Sequence, residues 1–305
     1  MDKASALQIQ NILETTLEKI QIPLAPKEYD QEFHNACLRG AEERGICLQG
    51  PVHIGLRLPA GVVMGSIAYG HLPDLSTRIF IALYTAGLLA LEDVCGDDPS
   101  LLSTFCDRFF KSIPHGHPVV DAWDILTKEL PLHFDRVQAD IMRLSSMDFV
   151  LANFIEFELQ HKTNSSHAQQ FPVFLRNITG LAKPFAIFIF PRTIPFTSYV
   201  ETVPAAMNFI NFINDIFSFY KEELANETVN CISNIARCNG QTRLEACQYL
   251  ADESVKAHKE ILAVLDGKPE ALAAYQTFAT GYVDFHTLTK RYKIEELWQM
   301  AADAK

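Results

Sequence analysis

Basic charge is scarce in this chain: 26 Lys and Arg face 37 Asp and Glu, a formal net charge of −11, with no cationic block or stripe. A nucleic-acid partner is therefore not expected, because a phosphate backbone is held by clustered Lys and Arg. An anionic small molecule would need the few cations gathered in one place. The cysteines number seven (37, 47, 95, 106, 231, 238, 247), odd and irregularly spaced, without a C-x-x-C pair. That pattern is neither a zinc signature nor an evident disulfide framework. Long apolar runs are missing as well: IFIALYTAGLLAL at 79–91 is the longest and is too short to span a bilayer. The first residues, MDKASALQIQNILETT, carry no charged-then-apolar leader, so a cytoplasmic chain without membrane insertion is expected. Strand-type alternation is nearly absent, and there is no internal repeat or low-complexity segment.

What is present is helical periodicity over most of the 305 residues, in an ordinary globular mix of 48% hydrophobic and 21% charged residues that can build a sizeable core. The spacing of apolar residues predicts helices over about 4–20, 30–47, 58–71, 75–95, 99–112, 118–129, 131–160, 171–182, 199–224, 241–265 and 269–300. Breakers such as Gly50-Pro51, Pro191 to Pro195 and Gly267 to Pro269 separate them, and none of the gaps is long enough for an interdomain linker. One all-α domain over 1–305 is the economical reading.

Within the apolar helix of 199–224, the stretch NDIFSFYKEE places oxygen donors where core residues are expected. Asn214, Ser218 and Glu222 follow at i, i+4 and i+8, on one face with a drift of about 40° per step and a total rise of about 12 Å. Side chains lean toward the helix N-terminus, so a long Glu in third place can reach back toward an ion held by the shorter Asn and Ser. An amide, a hydroxyl and one carboxylate suit Mg²⁺ that keeps waters and accepts phosphate oxygens. A second acidic group, LEDVCGDDP at 91–99, puts Asp93 and Asp97 four apart on a helix end. Arg176 in FPVFLRNITGL and Arg291-Tyr292 after GYVDFHTLTK are cations in apolar surroundings, where an anion or an ion-pair partner must meet them.

Together these motifs resemble the class I terpene synthases, and at closer range the fungal trichodiene-synthase-like sesquiterpene cyclases. The resemblance covers about residues 60 to 300 and rests on NDIFSFYKE, FLRNITGL, GYVDFH, the terminal KRY and the acidic DVCGDDP turn. It implies a single-domain all-α terpenoid synthase bundle around a central apolar cavity, three Mg²⁺ ions, an isoprenyl diphosphate as small-molecule partner, and a homodimer. By the same resemblance Asn214, Ser218 and Glu222 bind one Mg²⁺ and Asp93 and Asp97 serve the others. Arg176 senses the diphosphate, and Lys221, Arg291 and Tyr292 donate hydrogen bonds to it, the last two as catalytic groups. The implied activity is ionisation of farnesyl diphosphate and cyclisation of the carbocation to a sesquiterpene hydrocarbon or alcohol. Protecting that cation needs aromatic apolar walls, for which Phe80, Tyr84, Phe154, Phe185, Phe209 and Tyr282 are the candidates.

The acidic turn departs from the family pattern. Alignment on Asp-Asp-Pro without gaps puts Asp93 first and Val94 where a second Asp is usual, with Glu92 turned about 100° away. A one-residue gap would make Glu92 and Asp93 the pair, and the ungapped alignment is the one favoured. The competing functions are a chain-elongating prenyltransferase, which should show two Asp-rich motifs, and a catalytically silent isoprenoid-binding helical protein, suggested by Val94. Product skeleton is set by the cavity contour, which depends on packing.

Overall fold

The computed structural model describes residues 3–24, 27–97, 99–159 and 165–302. Among these the chain is built from helices, with no strand: α1 (Lys3–Ile20), α2 (Gln31–Glu43), α3 (Leu58–Val63), α4 (Leu75–Asp97), α5 (Phe105–Lys111), α6 (Pro118–His133) and α7 (Arg136–Leu159) form the first half. The second half comprises α8 (Phe171–Thr179), α9 (Ala182–Phe188), α10 (Val203–Leu224), α11 (Cys231–Asn239), α12 (Arg243–Val264), α13 (Pro269–Leu288) and α14 (Ile294–Ala302).

Local chemistry sets many of the boundaries. Asp30 caps α2 by accepting from the Phe33 amide at 2.8 Å, and Thr242 with Glu245 forms a reciprocal capping box at the start of α12. Pro204 and Pro269 stand in the first turns of α10 and α13, where a missing N–H costs nothing. Three departures from the periodicity matter for the site. Pro131 lies inside α6, and the break falls between His133 and Arg136 instead. The helix expected over 171–182 ends at Thr179, Leu181 takes a left-handed φ of 49°, and α9 follows as a further helix that the periodicity did not mark. The stretch expected to run to 300 stops at Leu288; Lys290–Tyr292 then makes a 3₁₀ turn and Lys293, at φ 55°, turns the chain into α14.

Two apolar helices organise the interior. α4 packs against α3, α6 and α2, while α10 packs against α12 and α9. Over Leu75–Gly96, α4 is long and apolar enough to cross a membrane, with a mean hydropathy of 1.6, but 78% of that window is buried inside the bundle. The apolar run at 79–91 is thus the middle of a longer core helix. Close approach is possible where side chains vanish: a Cβ on Gly61 would sit 2.1 Å from the Ala82 carbonyl oxygen, so α3 can lie directly on α4. One continuous core includes Trp123, Tyr84, Phe188, Phe209 and Tyr275, and burying each such aromatic contributes roughly 1.5–3 kcal/mol before entropy is counted.

Candidate active site

A cavity of about 320 Å³ opens between α4, α7, α8, α10 and α13, bordered by the 3₁₀ turn at Lys290–Tyr292. Helix spacing decides which α4 residues face it: Thr85, Leu88, Leu89 and Glu92, at i, i+3, i+4 and i+7, are on the wall. From α10 come Ile210, Asn211, Asn214, Asp215, Ser218, Lys221 and Glu222; from α8, Arg176; and from the chain after α13, Arg291 and Tyr292. Sequence positions over a hundred residues apart therefore converge as the motifs suggested. Asn214, Ser218 and Glu222 do share one face, and Arg176, Lys221, Arg291 and Tyr292 border the same space.

The hydrogen bonds are specific. Arg176 Nε lies 2.8 and 3.1 Å from the two carboxylate oxygens of Asp215. Its Nη2 donates to Asn214 Oδ1 at 3.0 Å and to the Asn211 carbonyl at 3.4 Å. Asp215 keeps the guanidinium firmly protonated despite burial. The amide nitrogen of Asn214 donates to Tyr292 Oη at 3.0 Å and meets His286 Nε2 at 3.2 Å. Lys221 Nζ donates to Glu222 Oε1 at 3.1 Å. Gly180 closes α8 so tightly against α10 that a Cβ would fall 2.1 Å from Asn211 Oδ1; that oxygen is buried and finds no hydrogen-bond partner among the described residues.

The cavity carboxyls are hard to ionise. Burial raises Glu92 above the usual carboxylate range against the pull of Arg291, Arg176 and Lys221, and burial likewise raises Glu222 against Lys221. Glu156 on α7 is pushed up to about 7, by burial first and by the neighbouring Glu92 second. Burial also drives the His286 imidazole down to about 3, so it is neutral. A site that resists its own negative charges, yet lines them up, is suited to added positive charge. The donors are amide, hydroxyl and carboxylate oxygens; among the described residues no group of three or more His, Cys, Asp or Glu forms a closed cage. Such an open oxygen set fits a hard divalent cation that retains waters.

Several expectations need correction. Asp93 does not face the cavity: its carboxylate meets Arg57 Nε at 2.5 Å on the outside, both side chains about two-fifths exposed. Glu92, one residue and about 100° round the helix, is the α4 carboxylate on the wall. Asp97 closes α4, and its side chain lies outside the described residues. Of the aromatic candidates, Phe185 and Tyr282 line the cavity, Tyr282 fixed by donating to the Ile210 carbonyl at 3.0 Å. The other four do not. Phe80 stacks on His133 and Tyr84 bonds Ser146, both on the side of α4 turned to α6 and α7. Phe209 packs on Tyr275 and His258, and Phe154 is 36% exposed on α7. Met64, Leu88, Leu89, Ile210 and Phe285 supply apolar wall in their place. Glu92 was the alternative that the ungapped alignment set aside; the polar residues that sequence reasoning passed over are Glu156, Asp215 and His286. A lone Glu in the apolar VLANFIEF run was the available signal for Glu156.

The sequence and the fold recur in known proteins. The trichodiene synthase (TRI5) family matches residues 59–305. The chain is 32% identical over 292 residues to alpha-cuprenene synthase COP6 of Coprinopsis cinerea, covering 95% of this chain and 90% of that protein. It is 28% identical to monoterpene synthase 25 of Postia placenta, over 94% and 86% of the two chains. Among solved structures, linalool/nerolidol synthase from Streptomyces clavuligerus superposes with a TM-score of 0.60 at 13% identity, over 90% of this chain and 98% of that one. Hedycaryol synthase in complex with nerolidol shares the fold with a TM-score of 0.60 over 87% and 96%. Sequence and fold together place this chain in the trichodiene synthase family, as a terpene synthase of the class I all-α architecture.

Proposed function

We propose that the chain, as one domain over 1–305, is a Mg²⁺-dependent sesquiterpene cyclase. It would ionise farnesyl diphosphate, guide closure of the carbocation to a hydrocarbon or alcohol, and release diphosphate. The observation that supports this most directly is one cavity that holds both kinds of group. Arg176, Lys221, Arg291 and Tyr292 border it with oxygen donors, and Leu88, Leu89, Ile210, Phe185, Phe285 and Tyr282 border it as well.

Asn214, Ser218 and Glu222 would hold one Mg²⁺, and Glu92 would serve the others from α4. When bound, the metal neutralises the charge that develops on a departing diphosphate. The protein's own groups do the remaining work. Arg291, Arg176 and Lys221 would donate to the leaving group, stabilising the charge that grows on it. Tyr292, anchored by Asn214, adds a neutral donor beside Arg291. The aromatic faces of Phe185, Phe285 and Tyr282 favour a nearby cation electrostatically, and the apolar wall keeps water from quenching it.

Incubation with farnesyl diphosphate and Mg²⁺, followed by gas chromatography–mass spectrometry of a hexane extract, tests the reading. Cyclic C15 products that vanish with EDTA are expected. Geranyl diphosphate run in parallel tests chain length, since one relative is named a monoterpene synthase. A prenyltransferase would instead lengthen the substrate when isopentenyl diphosphate is added, and a silent binding protein would return it unchanged. Size-exclusion chromatography tests the homodimer we infer for the cytoplasmic protein.

A further inference from the structure

Asn214 offers two chemically opposite ends, and which one faces the cavity decides whether it can serve a cation. Arg176 Nη2 can only donate, so the Asn214 atom 3.0 Å from it is the carbonyl Oδ1. The other end, the NH₂, then points at Tyr292 Oη and His286 Nε2. His286 Nδ1 lies 2.7 Å from the Tyr282 carbonyl oxygen, which can only accept, so Nδ1 carries the proton. In the neutral ring Nε2 is then a lone pair, the one form that accepts from the Asn214 amide. His286 is fully buried among Phe217, Tyr282, Phe285 and Tyr292. The chain of constraints runs from the α13 backbone through the ring to the amide.

We propose that His286 is a positioning residue: by accepting from the Asn214 NH₂ it locks the amide so that Oδ1, and not nitrogen, is presented to the cation site. The proposal rests on the reading of Asn214 as a cation ligand. Groups that orient a metal ligand from behind change metal affinity by about 10- to 100-fold when removed. Tyr292 alone would leave the amide a weaker anchor.

The probe is Mn²⁺ with inorganic diphosphate, its binding followed by loss of the free Mn²⁺ EPR signal, with thermal melts as a fold control. His286→Phe keeps the ring and the burial but removes the acceptor, and is expected to weaken Mn²⁺ binding about 10- to 100-fold. His286→Gln can place Oε1 where Nε2 was and is expected to restore most of the binding. A pure packing role predicts the reverse order, with Phe tolerated and Gln not, and that order would overturn the proposal. Independently of any metal, ¹⁵N spectra of the labelled His286 imidazole are expected to show the Nδ1–H tautomer; the Nε2–H tautomer would overturn the proposal even if the Phe variant fails to fold. Asn214→Ala separates the two claims. Unchanged Mn²⁺ binding there would remove the cation reading beneath the inference, whatever the tautomer; weakened binding there with wild-type binding in His286→Phe would overturn the positioning role alone.

Discussion

Exchanging carboxylate for amide at two consecutive positions of α4 should produce opposite results. Asp93 pairs with Arg57 where both side chains are about two-fifths exposed. Such a pair contributes about 0.2–1 kcal/mol, so Asp93→Asn should lower the melting temperature by less than about 2 °C in a chain of this size and change the rate by no more than about fivefold. Glu92 stands on the cavity wall under the influence of Arg291, Arg176 and Lys221. Removing one charged group from a preorganised site costs about 10²–10³ in rate, so Glu92→Gln should lose at least about 100-fold, or roughly 2.7 kcal/mol of transition-state stabilisation. Its stability should move the other way. Because burial raises the Glu92 carboxyl, the ionised form is the less favourable one in the fold, and the neutral Gln relieves that at pH 8. The assay is the initial rate of product formation with farnesyl diphosphate, paired with calorimetry of the metal-free protein. An Asp93→Asn variant crippled as severely as Glu92→Gln, or a near wild-type Glu92→Gln, would refute the helix-phase argument.

Three further outcomes are expected. Glu156 has a folded pKa of about 7 against an ordinary value of 4.5. Its stabilising contribution is therefore complete below pH 4.5 and lost as pH rises through 7, an effect of order 3 kcal/mol at most; Glu156→Gln should flatten this part of the melting profile of metal-free protein between pH 5 and 8 and match wild type at pH 5. Asp215→Asn leaves the buried Arg176 without its counter-charge and should destabilise the metal-free protein by about 3 kcal/mol, with part of the loss recovered on adding Mg²⁺ and diphosphate in thermal melts. Arg291→Lys keeps charge but loses the planar fork, so turnover should fall and the product ratio shift in chromatograms; unchanged ratios would make Arg291 a bystander.

How far the sequence could be read depended on how each helix declares its phase. On α10 the polar residues are few and the rest apolar, so Asn214, Ser218 and Glu222 mark one face unaided, and the structure puts them together. α4 is apolar on nearly all sides and buried, so hydrophobicity does not say which flank meets the cavity. Only its neighbours decide: α6 and α7 take Phe80 and Tyr84, and Glu92 is left inside where Asp93 was expected. The same ambiguity misplaced two of the aromatic wall candidates, Phe80 and Tyr84. The turn at Lys293, inside the helix expected over 269–300, escaped because a non-glycine residue in a left-handed conformation is flagged by no residue-type rule.

Arg176 is already spoken for, by Asp215 and by Asn214. An incoming anion therefore competes with an internal carboxylate for the guanidinium, whose Nη1 edge takes no part in these bonds, and a cation at Asn214 would compete with that guanidinium for the same oxygen. Each newcomer loosens what holds the other out, and by linkage the assistance is equal in both directions. On the function proposed above, the site would discriminate by conjunction: bare phosphates, carboxylates or free divalent ions would meet a competitor inside the protein, whereas a metal-loaded diphosphate would supply both replacements at once.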